Sequence, residues 1–355
     1  MEQILSARQF DPQQSDQFDV FQPINGDVAG KNLLSIHQLS DSDIYDYIEE
    51  ARAASEIVND PARGGTGLLQ FTVLKAVMRQ PSTRTAGTMA TAMHKLGCDG
   101  EVISGMSSSS EAKDESRSDS WLAFATQTDI LATRTAEDYG PAYAAQTIGE
   151  YHAKGKLKRQ VPVINLGDGK NEHPTQALSD MFTIYSRIGS LEGKVALMMG
   201  DHERYRAHHS FMIAAAKLGM YVIAVESDAV RVPGSIANLF GDRLQRTDNL
   251  DEALSDAHVL VLGRKPKEYD GEDEIEKERT RLMNEYYAKN IVNLARLQKM
   301  RPDGVELHPR PRGQESDPDI DFAAQSAEVE QMENLVPMRM AIIATHMGKS
   351  ILHSK

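Results

Sequence analysis

Seven short segments carry the residue types best suited to chemistry. The first is Pro81-Ser82-Thr83-Arg84-Thr85. Small hydroxyls and a guanidinium at a helix start suit phosphate, because the first N–H groups and the helix dipole attract an anion. The guanidinium adds a fork of donors. Capping by Ser82 or Thr83 explains the same residues without a ligand. The second is Ser107–Ser116, a serine-rich run with Lys113 inside it; by itself this is a polar loop with a solvated charge. The third, DILATR, ends in Arg134, which either enters a crevice or pairs with Glu137 or Asp138. The fourth is Asn165–Leu178, NLGDGKNEHPTQAL. If a helix starts at Pro174, His173 and Gln176 leave the same side of its first turn. An imidazole and a carboxamide there suit one carbonyl and one amino group. The alternative is a Gly/Asp/Asn turn with His173 as its cap. The fifth, MGDHERYRAHHS, sets Arg206 and His209 three apart. A metal reading through His202, His208 and His209 needs a converging third ligand, so no metal is expected. The sixth has Arg264 after an apolar run, and the seventh is the Pro-locked HPRPR, His308–Arg312.

The whole chain limits what these segments do. Lys plus Arg is 39 and Asp plus Glu is 52, giving −13. A general nucleic-acid binder needs a basic footprint and is excluded; an anion site must instead gather its cations in one place. One cysteine, Cys98, leaves no disulfide framework and fits a reducing compartment. No apolar run reaches a membrane span. The start, MEQILSARQF, has no signal-peptide core, so the expected location is the cytoplasm.

The elements that must position these residues alternate. From Leu33 an amphipathic stretch reads as helix, with Ser40 or Asp41 as cap. Then FTVLKAVM, EVIS, DILAT, VPVINLG, KVALMMG, MYVIAVES and HVLVLG read as strands between helical segments. Short apolar strands alternating with helices predict an α/β protein of two doubly wound parallel-sheet domains joined by helices. The expected division is an arm over 1–28, one domain over 29–190, a second over 191–330, and a C-terminal helix over 331–355 packing back on the first. Residues 270–300, dense in charge, read as a solvated helix. In open parallel sheets, ligands sit beyond the carboxyl ends of strands, where all seven segments lie.

In this order the segments resemble the aspartate/ornithine carbamoyltransferase family over about residues 30–350. PSTRT resembles its carbamoyl-phosphate loop. GDGKNEHPTQAL and HPRPR resemble the aspartate branch, whereas ornithine enzymes carry an HCLP pattern and lack the GDG stretch. The resemblance implies transfer of the carbamoyl group of carbamoyl phosphate to the amine of L-aspartate, a step of pyrimidine synthesis, without a cofactor. Ser82, Thr83, Arg84 and Thr85 match the phosphate loop. Arg134 matches an arginine on the phosphate and carbonyl oxygen, and His173 the imidazole donating to that oxygen. Gln176 matches the glutamine holding the carbamoyl amino group; Pro309 and Arg310 match the turn whose carbonyls orient it. Ser109 and Lys113 match a loop that reaches a neighbouring subunit's site, which implies a homotrimer. Arg206 and Arg264 match the arginines on the aspartate carboxylates. A separate regulatory chain is compatible with the resemblance and is not specified by this sequence.

The chain departs from the family pattern at several places. Gln80 and Tyr269 stand where the family has a Glu and an Arg that hold the domains closed. Pro266 replaces a Gln that touches aspartate. Asp114 and Leu335 replace glycines, and Ala86 an arginine. The phosphate side is thus nearly complete and the acceptor side altered. An acceptor other than aspartate, or a catalytically weak subunit acting in an assembly, are the competing readings.

Overall fold

In the computed structural model, residues 20–105, 115–266, 271 and 273–354 are described. The serine-rich loop with Ser109, Lys113 and Asp114 lies outside the described residues, as does Tyr269. Among the described residues, nine strands form two all-parallel sheets. The first contains β1 (Val73–Met78), β2 (Asp99–Ser104), β3 (Ile130–Thr135) and β4 (Val163–Asp168), in the order β2-β1-β3-β4. The second contains β5 (Val195–Met199), β6 (Tyr221–Val225), β7 (Leu244–Thr247), β8 (Val259–Leu262) and β9 (Val305–Leu307), in the order β7-β6-β5-β8-β9. Each order reverses once, between β1 and β3 and between β5 and β8. Such reversals open the crevices where ligands bind.

The helices crossing the first sheet are α1 (Asp41–Val58), α2 (Thr83–Leu96), α3 (Arg117–Ala125), α4 (Gly140–Ala153) and α5 (Pro174–Ile188). Ser40 caps α1 in a reciprocal box with Asp43, so both end donors are satisfied. Ser82 caps α2, and Gly97 ends it in the left-handed region at φ 79°, where glycine is unstrained. Next come α6 (Arg206–Lys217), the short α7 (Gly234–Ala237) and α8 (Leu250–Ala253), then α9 (Glu274–Asn290), α10 (Leu294–Leu297) and α11 (Glu328–Glu333). The last, α12 (Leu335–His346), returns to pack on α1, α2 and α5. One core joins α1, α5, α6 and α12 to one face of both sheets. Two further cores cover the opposite faces. No helix among the described residues is long and apolar enough to cross a membrane.

Two expectations change. Residues 20–28 are not a loose arm: Ile24 is fully buried, its N–H bonds Gln38 O, and Gly26 N bonds Asp43. Helix α9 is not solvated all round. Met283, Tyr286, Tyr287 and Asn290 are buried on one face. The Tyr286 hydroxyl accepts from Gly200 N and donates to Val225 O, while that of Tyr287 accepts from Asp201 N and donates to Gly263 O. The two phenols thereby clamp the carboxyl ends of β5, β6 and β8.

Candidate functional site

The first crevice is flanked by Arg84, in the first turn of α2, and Arg134, at the end of β3. The second is flanked by Arg206, after β5, and Arg264, after β8. The two crevices face each other and share one cleft, lined also by Ser82, Thr85, His173, Gln176, Pro309 and Arg310. The sequence-expected residues therefore converge, with two exceptions. Thr83 is the exposed first residue of α2 and is not part of the lining; Ser109 and Lys113 are not described. A roomier, open groove at the carboxyl ends of β6 and β7 is lined by both charge signs, Glu226 and Asp248 beside Arg231 and Arg246. It holds none of the expected residues.

Local structure explains each placement. The Ser82 hydroxyl accepts from Thr85 N at 3.3 Å, so Ser82 both caps α2 and lines the cleft. The β3–β4 register shifts between Thr133 and Thr135, and such an irregularity re-aims a side chain. Arg134 there reaches Leu166 O at 3.3 Å. Glu137 is engaged by Arg117, and Asp138 accepts from Lys170 N, which selects the crevice reading for Arg134. Gly167 has φ 113°, and a Cβ on it would lie 3.1 Å from each of Arg134, Arg206 and His173. A side chain there would separate the three groups.

The loop from Asp168 to His173 is built on buried carboxylates. Asp168 accepts from Asn165, Asn171 and Tyr139 N; burial still pushes its pKa up to about 7. Glu172 accepts from Ser35, Ile36 N and Ser210. The Ser210 hydroxyl in turn accepts from His173 N at 2.9 Å, so α6 fixes the start of α5. Burial first, then the charges of Arg134, Arg206 and Arg339, hold the His173 pKa well below 6.5. The imidazole is neutral at physiological pH. Its Nδ1 lies 3.4 Å from the Thr175 hydroxyl.

Arg206, 8% exposed, bonds Gly169 O at 3.1 Å and Gln80 Oε1 at 2.6 Å. The second bond spans the cleft from one sheet unit to the other. An Arg84 N–H donates to the carbonyl of Arg310, and burial lowers the Arg84 pKa. The Arg310 side chain turns away to Asp321 and Glu328, leaving its main chain to face the site. Among the histidines of the fifth segment, His202 meets His208 and Val225 O, and His209 meets Asn171 O and His202 O. No group of three metal-ligating side chains exists among the described residues.

Sequence reading missed Arg204 and Arg339, which complete a lining of seven arginines with no Asp or Glu among the described residues. Arg204 is fixed by a two-bond fork to Glu276 at the start of α9. Arg339 is 2% exposed on α12; its Nη1 bonds Thr85 O at 3.3 Å, and its Nε has no partner among the described residues. Burial alone drags its pKa down to about 9. A single Arg inside the apolar run LVPMRMAIIA was the available signal. A buried cation without a counter-charge is costly, and an incoming anion relieves it. Arg339→Met is therefore expected to leave the ligand-free melting temperature unchanged or raised. Phosphate affinity, read from the phosphate-induced melting shift, is expected to weaken about tenfold. A large drop in ligand-free stability with an intact phosphate shift contradicts this account.

The aspartate/ornithine carbamoyltransferase carbamoyl-P binding domain model matches residues 31–186, and the Asp/Orn binding domain model of the same family matches 192–346. The aspartate carbamoyltransferase catalytic subunit of Thermoplasma volcanium is 30% identical over 326 residues, covering 90% of this chain and 99% of that one. The catalytic subunit of Methanocaldococcus jannaschii is 32% identical over 324 residues, covering 88% and 96%. Aspartate transcarbamoylase of Trypanosoma cruzi in complex with carbamoyl phosphate superposes with TM-score 0.78 at 27% identity, covering 90% of this chain and 97% of that one. Its complex with N-(phosphonacetyl)-L-aspartic acid gives 0.77 at 27% identity over the same shares.

Proposed function

The chain belongs to the aspartate/ornithine carbamoyltransferase family, and on that premise we propose that it is an aspartate carbamoyltransferase. It transfers the carbamoyl group of carbamoyl phosphate to the amine of L-aspartate, giving N-carbamoyl-L-aspartate and phosphate for pyrimidine synthesis. The observation that carries the reading is a cleft with no Asp or Glu among its described lining and six arginine side chains, Arg310 contributing its main chain, in a chain of charge −13. Two anionic reactants need their cations gathered in one place, and this cleft gathers them.

Residues 29–190 with 331–355 hold carbamoyl phosphate in this scheme, and residues 191–330 hold aspartate. Ser82, Thr85 and the N-terminus of α2 take the phosphate, with Thr83 contributing main chain only, and Arg84 and Arg134 neutralise it. Neutral His173 donates to the carbonyl oxygen. Gln176 and the carbonyls of Pro309 and Arg310 receive the carbamoyl amino group. Arg206 and Arg264 receive the two carboxylates. The amine attacks the carbonyl carbon, charge grows on the carbonyl oxygen, and the departing phosphate accepts the amine's proton. Preorganised donors and the alignment of two bound reactants supply the rate, without a side-chain nucleophile. A cytoplasmic location belongs to the same reading, and the lone, half-buried Cys98 suits a reducing compartment.

A carbamoyl-transfer assay against aspartate, ornithine and putrescine tests the function. Aspartate is expected to be used, whereas ornithine sets an ammonium against a guanidinium in a partly dry cleft. Product from a diamine or monocarboxylate and none from aspartate overturns the acceptor. That second reading rests on Pro266, which lines the cleft and is buried yet has no donor to offer.

Ser109 and Lys113 complete the site of a neighbouring subunit in a homotrimer. Mixing Lys113→Ala chains with Arg84→Ala chains is then expected to restore part of the activity that each lacks, because a hybrid trimer contains an intact site. No recovery after verified subunit exchange contradicts shared sites.

A further inference from the structure

We propose that Asp180 is a positioning residue that makes the site select an amino group on the transferred carbonyl carbon. It does so by orienting the Gln176 amide and, through Gln331, the main chain of the turn after β9. The inference rests on the carbamoyl-transfer reading above and adds to it the origin of donor selectivity.

The argument starts from a donor whose identity is fixed, the main-chain N–H of His308. It bonds Gln331 Oε1 at 2.9 Å. The other end of that amide is therefore its Nε2, which donates to Asp180 Oδ1 at 2.7 Å. Asp180 Oδ1 is thus an acceptor. Gln176, one helical turn earlier on α5, meets the same oxygen at 2.8 Å, and only its Nε2 can donate there. The Gln176 oxygen is left as the end that faces the cleft. All three side chains are buried, Gln176 at 6% and Asp180 and Gln331 at 1% exposure, so exchange with solvent does not scramble the assignment.

A carboxamide that presents oxygen reads a donor; one that presented its nitrogen would read a carbonyl. The same chain of bonds reaches the second acceptor. His308 is held by Gln331 at its N–H, while its Nδ1 accepts from Arg310 N at 2.8 Å. The proton is therefore on Nε2, which donates to Glu315 at 2.7 Å. The carbonyls of residues 309 and 310 are fixed between these anchors. Burial also pushes the Asp180 pKa up to about 7; a proton on Oδ2 leaves Oδ1 accepting, so the device works in either charge state.

The test compares carbamoyl phosphate with acetyl phosphate, which carries a methyl where the amino group stands. The measured quantity is the ratio of their kcat/KM values, with inhibition by inorganic phosphate as a control on the anion end. Asp180→Asn, which keeps Oδ1, is expected to hold the wild-type ratio within about threefold. Asp180→Leu is expected to lower it about tenfold or more, the scale of one lost or misaligned hydrogen bond, with phosphate inhibition moved by less than about threefold. Gln331→Met is expected to fall between them, and it decides the matter if Asp180→Leu does not fold. A ratio unchanged in folded Asp180→Leu or Gln331→Met overturns the proposal, as does an equal loss of phosphate affinity. A wild-type chain that uses both acyl phosphates equally well overturns it while leaving carbamoyl transfer standing. A wild-type chain that transfers neither overturns the proposed function, and this inference with it.

Discussion

His173→Ala is expected to lower kcat by about 10²–10³ while carbamoyl-phosphate affinity changes only a few-fold. His173 sits at the start of α5, its main-chain N–H held by Ser210, and in the proposed role its imidazole faces the oxygen on which charge appears only as the amine adds. An interaction stronger in the transition state than in the ground state shows in kcat. The Thr175 hydroxyl beside Nδ1 donates to it in this role, which puts the proton on Nε2 for the substrate oxygen. Because burial and three neighbouring arginines hold the pKa well below 6.5, the imidazole stays neutral as pH falls from 8 to 6. The wild-type kcat profile is expected to show no step from His173 in that window. An ordinary histidine would lose its neutral form there. His173→Gln, which keeps a donor, is expected to recover part of the rate. Single-turnover and equilibrium-binding measurements separate the two effects; a loss confined to affinity contradicts the assignment.

The parts of this site that sequence revealed are those displayed at strand ends. Arg84, Arg134, Arg206 and Arg264 each follow an apolar run, and a parallel sheet brings such positions to the crevice side. What stayed hidden has a common physical cause. Asp180 and Arg339 are charged residues on buried helical faces, where periodicity predicts core. Beyond the i, i+4 bond from Gln176 to Asp180, their partners are distant, 151 positions for Asp180, at Gln331, and 254 for Arg339, at Thr85, and no local pattern joins such pairs. Strand β7, LQRT, is half-exposed at a sheet edge, so it lacks the apolar run that marked the others. Strand β9 has three residues and buries Glu306. In α9 the buried positions 283, 286, 287 and 290 follow helical spacing, but four residues among so many charges did not stand out.

Arg206→Ala is expected to cost aspartate the most, about 10² or more in kcat/KM, with carbamoyl-phosphate binding little changed. Two charge-assisted hydrogen bonds to a carboxylate, at roughly 1.5–3 kcal/mol each, set that scale. The same guanidinium bridges the cleft to Gln80 Oε1 and to Gly169 O, so its loss also leaves those two oxygens without that donor. Arg206→Lys keeps the charge but not the planar fork and is expected to recover only part of the loss. The bond to Gln80 lies at one of the departures from the family pattern that the sequence resembles: the acceptor is a neutral amide, and a bond between ionised partners is about twice as strong. Gln80→Glu is then expected to tighten aspartate by favouring the closed cleft, and pairing it with Tyr269→Arg to tighten it by more than the sum of the single changes. Closure is a shared equilibrium, so apparent affinity rises with the fraction of chains already competent to close. Aspartate saturation curves at saturating carbamoyl phosphate measure all of these. Strict additivity of the pair removes the explanation by a missing latch. Weaker aspartate binding in Gln80→Glu means that the new carboxylate competes with the substrate for Arg206, and the neutral amide is then what keeps that guanidinium available to aspartate.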